Sequence, residues 1–198
     1  MAVSIEDIRK LNELTGVGLT GAKEALVETD GDFDKALEAM RKKGLTKAEK
    51  KADREAREGI IDSYVHGGRI GVLVEVNCET DFVARTDGFR EFAHNIALQI
   101  ASMSPEYVTE DDIPAEEVER VRKEALSSDS LKSKPADMAE KIVDGQVKKH
   151  FADKVLLNQA YIMDDSQTVA EYLKENVAKT GENIVIRQFK RIELGVNG

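Results

Sequence analysis

Large apolar residues in this chain recur first at helix spacing, then in strict alternation, then at helix spacing again. Ile5, Ile8, Leu11 and Leu14 fall at every third position behind Ser4, which reads as an N-cap with Asp7 three residues on. After Thr15-Gly16-Val17-Gly18 a second face runs through Ala22, Ala25, Leu26 and Thr29. Asp30-Gly31-Asp32 stops and restarts the chain, and Phe33, Ala36, Leu37 and Met40 give a third. Three helices this short share only a small core, so residues 1–44 are expected to form a three-helix module of marginal stability. From Arg41 to Arg57 the chain is rich in Lys, Arg, Glu and Ala, which predicts a solvated linker helix, with 45–58 as the linker proper. A basic RNA-binding patch is the alternative, but no aromatic interleaves with the charges to offer a base-stacking surface.

Alternation takes over next. Gly59 to Val65 is strand-like, His66-Gly67-Gly68-Arg69 is a turn, and Ile70, Val72, Val74 and Val76 alternate with other residues. Cys78 falls on the face of the valines, so it is expected to be a small buried residue. A strongly patterned helix follows through Phe89, Phe92, Ala93, Ile96, Ala97, Ile100 and Met103, until Pro105. It should pack across the apolar face of the hairpin, each large side chain contributing roughly 1.5–3 kcal/mol on burial. Residues 111–154 offer two helices, with Pro114 and Pro135 near their starts and 127–133 as the loop between them. They read as an antiparallel helical hairpin projecting from the body. A further helix carries Val169, Tyr172, Leu173 and Val177, Gly181-Glu182-Asn183 stops it, and Ile184 to Leu194 forms a last strand.

The expected fold is therefore α+β. The N-terminal three-helix module precedes a core of a three-stranded antiparallel sheet with helices on one face, from which the helical hairpin projects. Its divisions are 1–44, a linker 45–58, a core hairpin and helix 59–110, the helical hairpin 111–154, and a completing helix and strand 155–198. The size and Gly-containing first turn of the N-terminal module are similar to those of ubiquitin-associated modules.

The junction Asn77-Cys78-Glu79-Thr80-Asp81-Phe82-Val83-Ala84-Arg85 places a carboxylate and a large aromatic where a strand hands over to a helix. Phe82 either tucks back as an anchor for the following helix or is presented to another molecule. Asp81 either caps that helix or acts on a partner. Residue spacing leaves both pairs of readings open.

Composition narrows the class. With 41% hydrophobic and 34% charged residues the chain is globular, and its net charge of -9 makes wholesale nucleic-acid binding an unexpected role. No early apolar segment resembles a signal peptide and no stretch nears the roughly 20 apolar residues of a membrane helix, so a cytosolic protein is expected. The single cysteine allows no intramolecular disulfide. Gly16-Val17-Gly18 lacks the Lys-Ser/Thr of a phosphate loop, and the three histidines, His66, His94 and His150, show no paired ligand spacing. No serine follows the nucleophile-elbow pattern, and Cys78 has no basic neighbour in sequence to activate it. The chain reads as a binding protein without a cofactor.

The motifs can be matched to a family. Leu14-Thr15-Gly16-Val17-Gly18 with Lys23-Glu24-Ala25-Leu26 resembles the opening of elongation factor Ts. So do the junction 77–85, Lys141-Ile142-Val143-Asp144-Gly145, and Gly181-Glu182-Asn183-Ile184-Val185-Ile186-Arg187, in an order that covers nearly the whole chain. Arg85 stands where lysine is common, with the charge preserved. The resemblance implies a guanine-nucleotide exchange factor for elongation factor Tu, acting without bond chemistry. It implies that Thr80, Asp81, Phe82 and Val83 intrude beside the nucleotide site and dislodge Mg²⁺. Thr15, Gly16, Val17, Gly18, Leu19 and Lys23 are then expected near the contact of the N-terminal module with the G domain, and the helical hairpin matches a projecting arm. Only one core sheet unit fits this length, as in short forms that pair as homodimers, and a three-stranded sheet leaves exposed edges for pairing. Two rival readings remain: an adaptor whose helical module binds peptides or ubiquitin-like surfaces, and an RNA-binding accessory protein of translation.

Overall fold

Ser4 Oγ accepts the Glu6 N–H at 3.1 Å and opens helix α1 (Ile5–Thr15). Helix α2 (Leu19–Glu28) follows, and Asp32 caps α3 (Phe33–Glu49) by accepting the Lys35 N–H at 3.1 Å. The computed structural model describes residues 3–15, 18–128 and 135–196. Leu11, Ala22, Ala25, Leu26, Ala36 and Met40 form the buried core of these helices, flanked by Ile8, Phe33 and Leu37. Ile5 and Leu14 lie outside it, exposed. A strict three-residue repeat drifts around a helix of 3.6 residues per turn, so the first and last members of such a run end up on opposite sides.

Helix α3 does not stop with the module. Its second half packs along α8 (Val169–Thr180), where Gly44 is buried with Ala178 beside it, and Ala48 enters the main core. The predicted linker helix is therefore only partly solvated, because its small residues make room for close helix contact. Arg41 Nε meets Glu175 Oε1 at 3.1 Å across this seam. Burial pushes the Glu175 carboxyl up, against the opposing pull of Arg41 and Lys179.

Strands β1 (Glu58–His66) and β2 (Ile70–Cys78) pair antiparallel from Glu58↔Cys78 to His66↔Ile70. Gly67 and Gly68 both have positive φ, 54° and 68°, in the three-residue loop 67–69, where the Arg69 N–H donates to the His66 carbonyl at 2.9 Å. Gly59 is required for another reason: a Cβ there would lie 2.1 Å from the Val76 carbonyl oxygen. On the other side of β2 lies β5 (Ile184–Glu193), also antiparallel, with a register shift between Glu75 and Val76. The order is β1-β2-β5.

Between β2 and β5 the chain builds α4 (Asp81–Ala84), α5 (Asp87–Met103), α6 (Ala115–Leu126), α7 (Ala136–Ala152), the short β3 (Ala160–Tyr161) and β4 (Asp164–Thr168), and then α8. Thr86 caps α5 by accepting the Phe89 N–H, and Ser104 ends it with φ 48° just before Pro105. Val72, Val74, Val76 and Cys78 from the sheet meet Phe89, Phe92, Ile96 and Ile100 from α5 in the main core. Helices α6 and α7 lie side by side over a cluster of Val121, Phe151 and Val155, with Arg122 paired to Asp144 at 2.6 Å. The loop expected over 127–133 falls largely outside the described residues. The β3–β4 hairpin was not expected from the sequence. It rests on fully buried Gln99, whose amide donates to Gln159 Oε1 (3.1 Å) and the Ala160 carbonyl (3.0 Å) while accepting the Ile162 N–H (2.9 Å). Among the described residues no helix is long and apolar enough to cross a membrane.

Candidate functional site

The inner face of β2 ends at Cys78, which is wholly buried and donates its thiol to the Thr80 carbonyl at 3.1 Å. Burial, with the negative charge of Glu182 adding to it, pushes this thiol up to about 11. It is therefore protonated at neutral pH and is no nucleophile. Past Cys78↔Ile184 the ladder stops, and side chains take over from backbone pairing. Glu182 accepts the Thr80 N–H at 3.0 Å and the Thr80 hydroxyl at 2.6 Å. In return Glu79 accepts the Asn183 N–H at 2.6 Å and meets Arg54 at 3.5 Å. Buried Asn183 donates its side-chain amide to the carbonyls of Ala52 (3.2 Å) and Arg54 (2.7 Å).

Thr80 is extended (φ -130°, ψ 154°), and its hydroxyl oxygen accepts the Val83 N–H at 3.5 Å. The N-cap of α4 is therefore Thr80, not Asp81: the capping hydroxyl must come from the last non-helical residue, and Asp81 already lies in the first turn. Asp81 instead pairs with Arg85 one turn on, at 2.8 Å. Ala84 is buried and Val83 packs against the main core, which leaves Phe82 facing away from it. Phe82 is 79% exposed, the most exposed of the large apolar side chains among the described residues. The sequence left its direction open, and the geometry presents it outward on a turn anchored at both ends.

The other expected contact residues belong to the separate N-terminal core. Thr15 is buried, its hydroxyl donating to the Leu11 carbonyl at 2.6 Å. Gly16 and Val17 lie outside the described residues. Gly18 precedes α2 as its N-cap, and Leu19 and Lys23 are exposed on that helix. Val27, four residues beyond Lys23, extends them into an outward stripe of i, i+4 spacing. Sequence reasoning omitted it, although its place off the Ala22-Ala25-Leu26 face was a usable signal. Also omitted were Glu182, Asn183 and Glu79, whose pairing spans about half the chain.

The site thus holds an aromatic and a carboxylate on a rigid corner, beside an inert thiol. Comparison with known proteins places the motifs in context. The family model described as "Elongation factor TS" matches residues 42–196. Elongation factor Ts of Thermotoga neapolitana is 50% identical over 199 residues, covering 100% of both chains. That of Syntrophomonas wolfei is 50% identical over 195 residues, 98% of this chain and 91% of its own. That of Coprothermobacter proteolyticus is 48% identical over 196 residues, 98% of this chain and 100% of its own. With the sheet, the corner and the N-terminal helices in place and about half of all positions shared end to end, the chain belongs to the elongation factor Ts family.

Proposed function

We propose that this protein is the guanine-nucleotide exchange factor of elongation factor Tu, acting in the cytoplasm on the GDP-bound form. The observation that carries this reading is Phe82, solvated on a turn whose capping and anchoring bonds are already made. A GTPase holds its nucleotide through Mg²⁺ and backbone donors around the phosphates. Phe82 entering between elements that support those groups displaces them and loosens Mg²⁺, and GDP leaves. Asp81 contributes its charge beside the disturbed site, exchanging its Arg85 partner for groups on the GTPase, without coordinating the ion. The α2 stripe of Leu19 and Lys23 grips the G domain. Linkage makes the effect reciprocal: the factor weakens nucleotide binding as much as nucleotide weakens binding of the factor, so incoming GTP releases it. No covalent bond changes.

Release of a fluorescent GDP analogue from purified elongation factor Tu tests this. The expected result is a release rate that rises with added protein and saturates. An unchanged rate overturns the reading, and an RNA affinity that collapses steeply with salt would favour the RNA-binding alternative instead.

We also propose that two copies pair through the outer face of the sheet. Ile61 (72% exposed), Val65 (66%), Leu73 (53%) and Ile192 (73%) all point away from α5, spread over the same face of three neighbouring strands, with Val65 and Ile192 on either side of Gly71. Four exposed large aliphatic side chains on one face are more than a solvated sheet surface requires. Light scattering should give about twice 21.9 kDa. Leu73→Lys, which places a charge in the middle of that face, should return the monomer mass. A monomeric wild-type protein would rule the pairing out.

A further inference from the structure

The two turns that follow β2 and precede β5 are joined by an exchange of carboxylates. Glu182 takes both the N–H and the hydroxyl of Thr80, at 3.0 and 2.6 Å, and Glu79 takes the N–H of Asn183 at 2.6 Å. Hydrogen bonds to an ionised acceptor are about twice as strong as neutral ones, and a bidentate pair also fixes direction. The residue so held is the cap of α4. Its hydroxyl hydrogen points at Glu182, which leaves an oxygen lone pair to accept the Val83 N–H. A single turn of four residues has almost no helical stability of its own, so its orientation depends on that cap. Phe82 makes no buried contact that would orient it.

We infer that Glu182 is a positioning residue for nucleotide exchange: by clamping Thr80 it holds the α4 turn so that Phe82 stands ready to insert. This rests on the exchange reading above. Without the clamp the turn samples many orientations, and inserting Phe82 then costs the entropy of ordering it. The effect falls on the step that Phe82 performs, not on the grip of the N-terminal module. Glu182 therefore governs the maximal rate of GDP release more than the concentration needed for half of it. Asn183 extends the same clamp to the chain leaving α3, through the carbonyls of Ala52 and Arg54.

The test uses the full chain with Glu182→Ala, Glu182→Gln, Phe82→Ala and the double variant Phe82→Ala/Glu182→Ala. Each is assayed for GDP release from elongation factor Tu over a range of factor concentrations and for thermal melting. Glu182→Ala should lower the maximal rate about tenfold or more, the scale of a lost charge-assisted pair, with a much smaller change in half-saturation. Glu182→Gln keeps one carbonyl acceptor for Thr80 but loses the second acceptor and the charge, so it should fall between the two. The double variant should be no slower than Phe82→Ala alone, because the clamp acts only through that side chain. A folded Glu182→Ala or Glu182→Gln variant at the full wild-type maximal rate overturns the inference. So does a double variant slowed by the product of the two single effects. A wild-type chain that fails to speed GDP release at all sinks the exchange reading itself, a result distinct from either.

Discussion

Replacing Phe82 with alanine should cut the maximal rate of GDP release from elongation factor Tu by about 10- to 100-fold while leaving the melting temperature nearly unchanged. The two halves of this expectation come from one number. At 79% exposure the ring contributes almost nothing to the folded chain, so its loss belongs with surface substitutions, within about ±0.5 kcal/mol. Its burial in a partner is worth roughly 1.5–3 kcal/mol, and each 1.4 kcal/mol is a factor of about ten. Had Phe82 been the anchor of the following helix, the same substitution would have cost about 3–5 kcal/mol of stability. Stopped-flow release and differential scanning calorimetry on the same preparation separate these cases. Full exchange activity in a variant of unchanged stability would remove Phe82 from the mechanism.

The opposite pattern is expected ten residues further on. Phe92 is wholly buried, its ring 5.3 Å from that of Tyr172, which itself stacks on Tyr161 at 4.1 Å. This run of three rings ties α5 to α8 and to the β3–β4 hairpin, so the cavity left by Phe92→Ala opens where three elements meet. A loss of about 3–5 kcal/mol is expected, because neighbours held in regular elements collapse only partly into the space. For a chain of this size that corresponds to a fall of about 6–20 °C in melting temperature. Chemical denaturation should show a lower midpoint at unchanged slope. A shift of only a degree or two would mean that the α5–α8 seam is not packed as described.

The two phenylalanines show what a sequence of this kind reveals. Period alone separated the strict alternation of Ile70 to Val76 from the helix that carries Phe92, and the sheet and its covering helix followed. Period also misled at α1, where an exact three-residue repeat looked like a face although its ends diverge around the helix. The β3–β4 hairpin was invisible because Asp164 to Thr168 is polar, and what supports the hairpin is a buried glutamine on α5 some sixty residues earlier. At the corner, the position of Phe82 was legible and its direction was not. That direction depends on Val83 and Ala84 being the pair that meets the core. It also depends on a carboxylate 102 residues from Thr80, a distance over which local pattern carries no information. The charge of Arg85 is legible in the sequence, but its pairing with Asp81 one turn earlier is a property of the folded turn.

Helix α3 has a consequence for the strength of association. Its seventeen residues, about 25 Å at 1.5 Å per residue, run unbroken from the N-terminal core to the seam with α8, where Arg41 meets Glu175. The two proposed contact regions are therefore carried on a stiff strut rather than on a tether. On the function proposed above, docking of the α2 stripe on elongation factor Tu makes the second contact intramolecular, with an effective concentration that is high if the strut matches the span and vanishes if it does not. The factor would then act as a caliper: two individually weak grips give avidity only for a GTPase whose two receiving surfaces lie at the set distance.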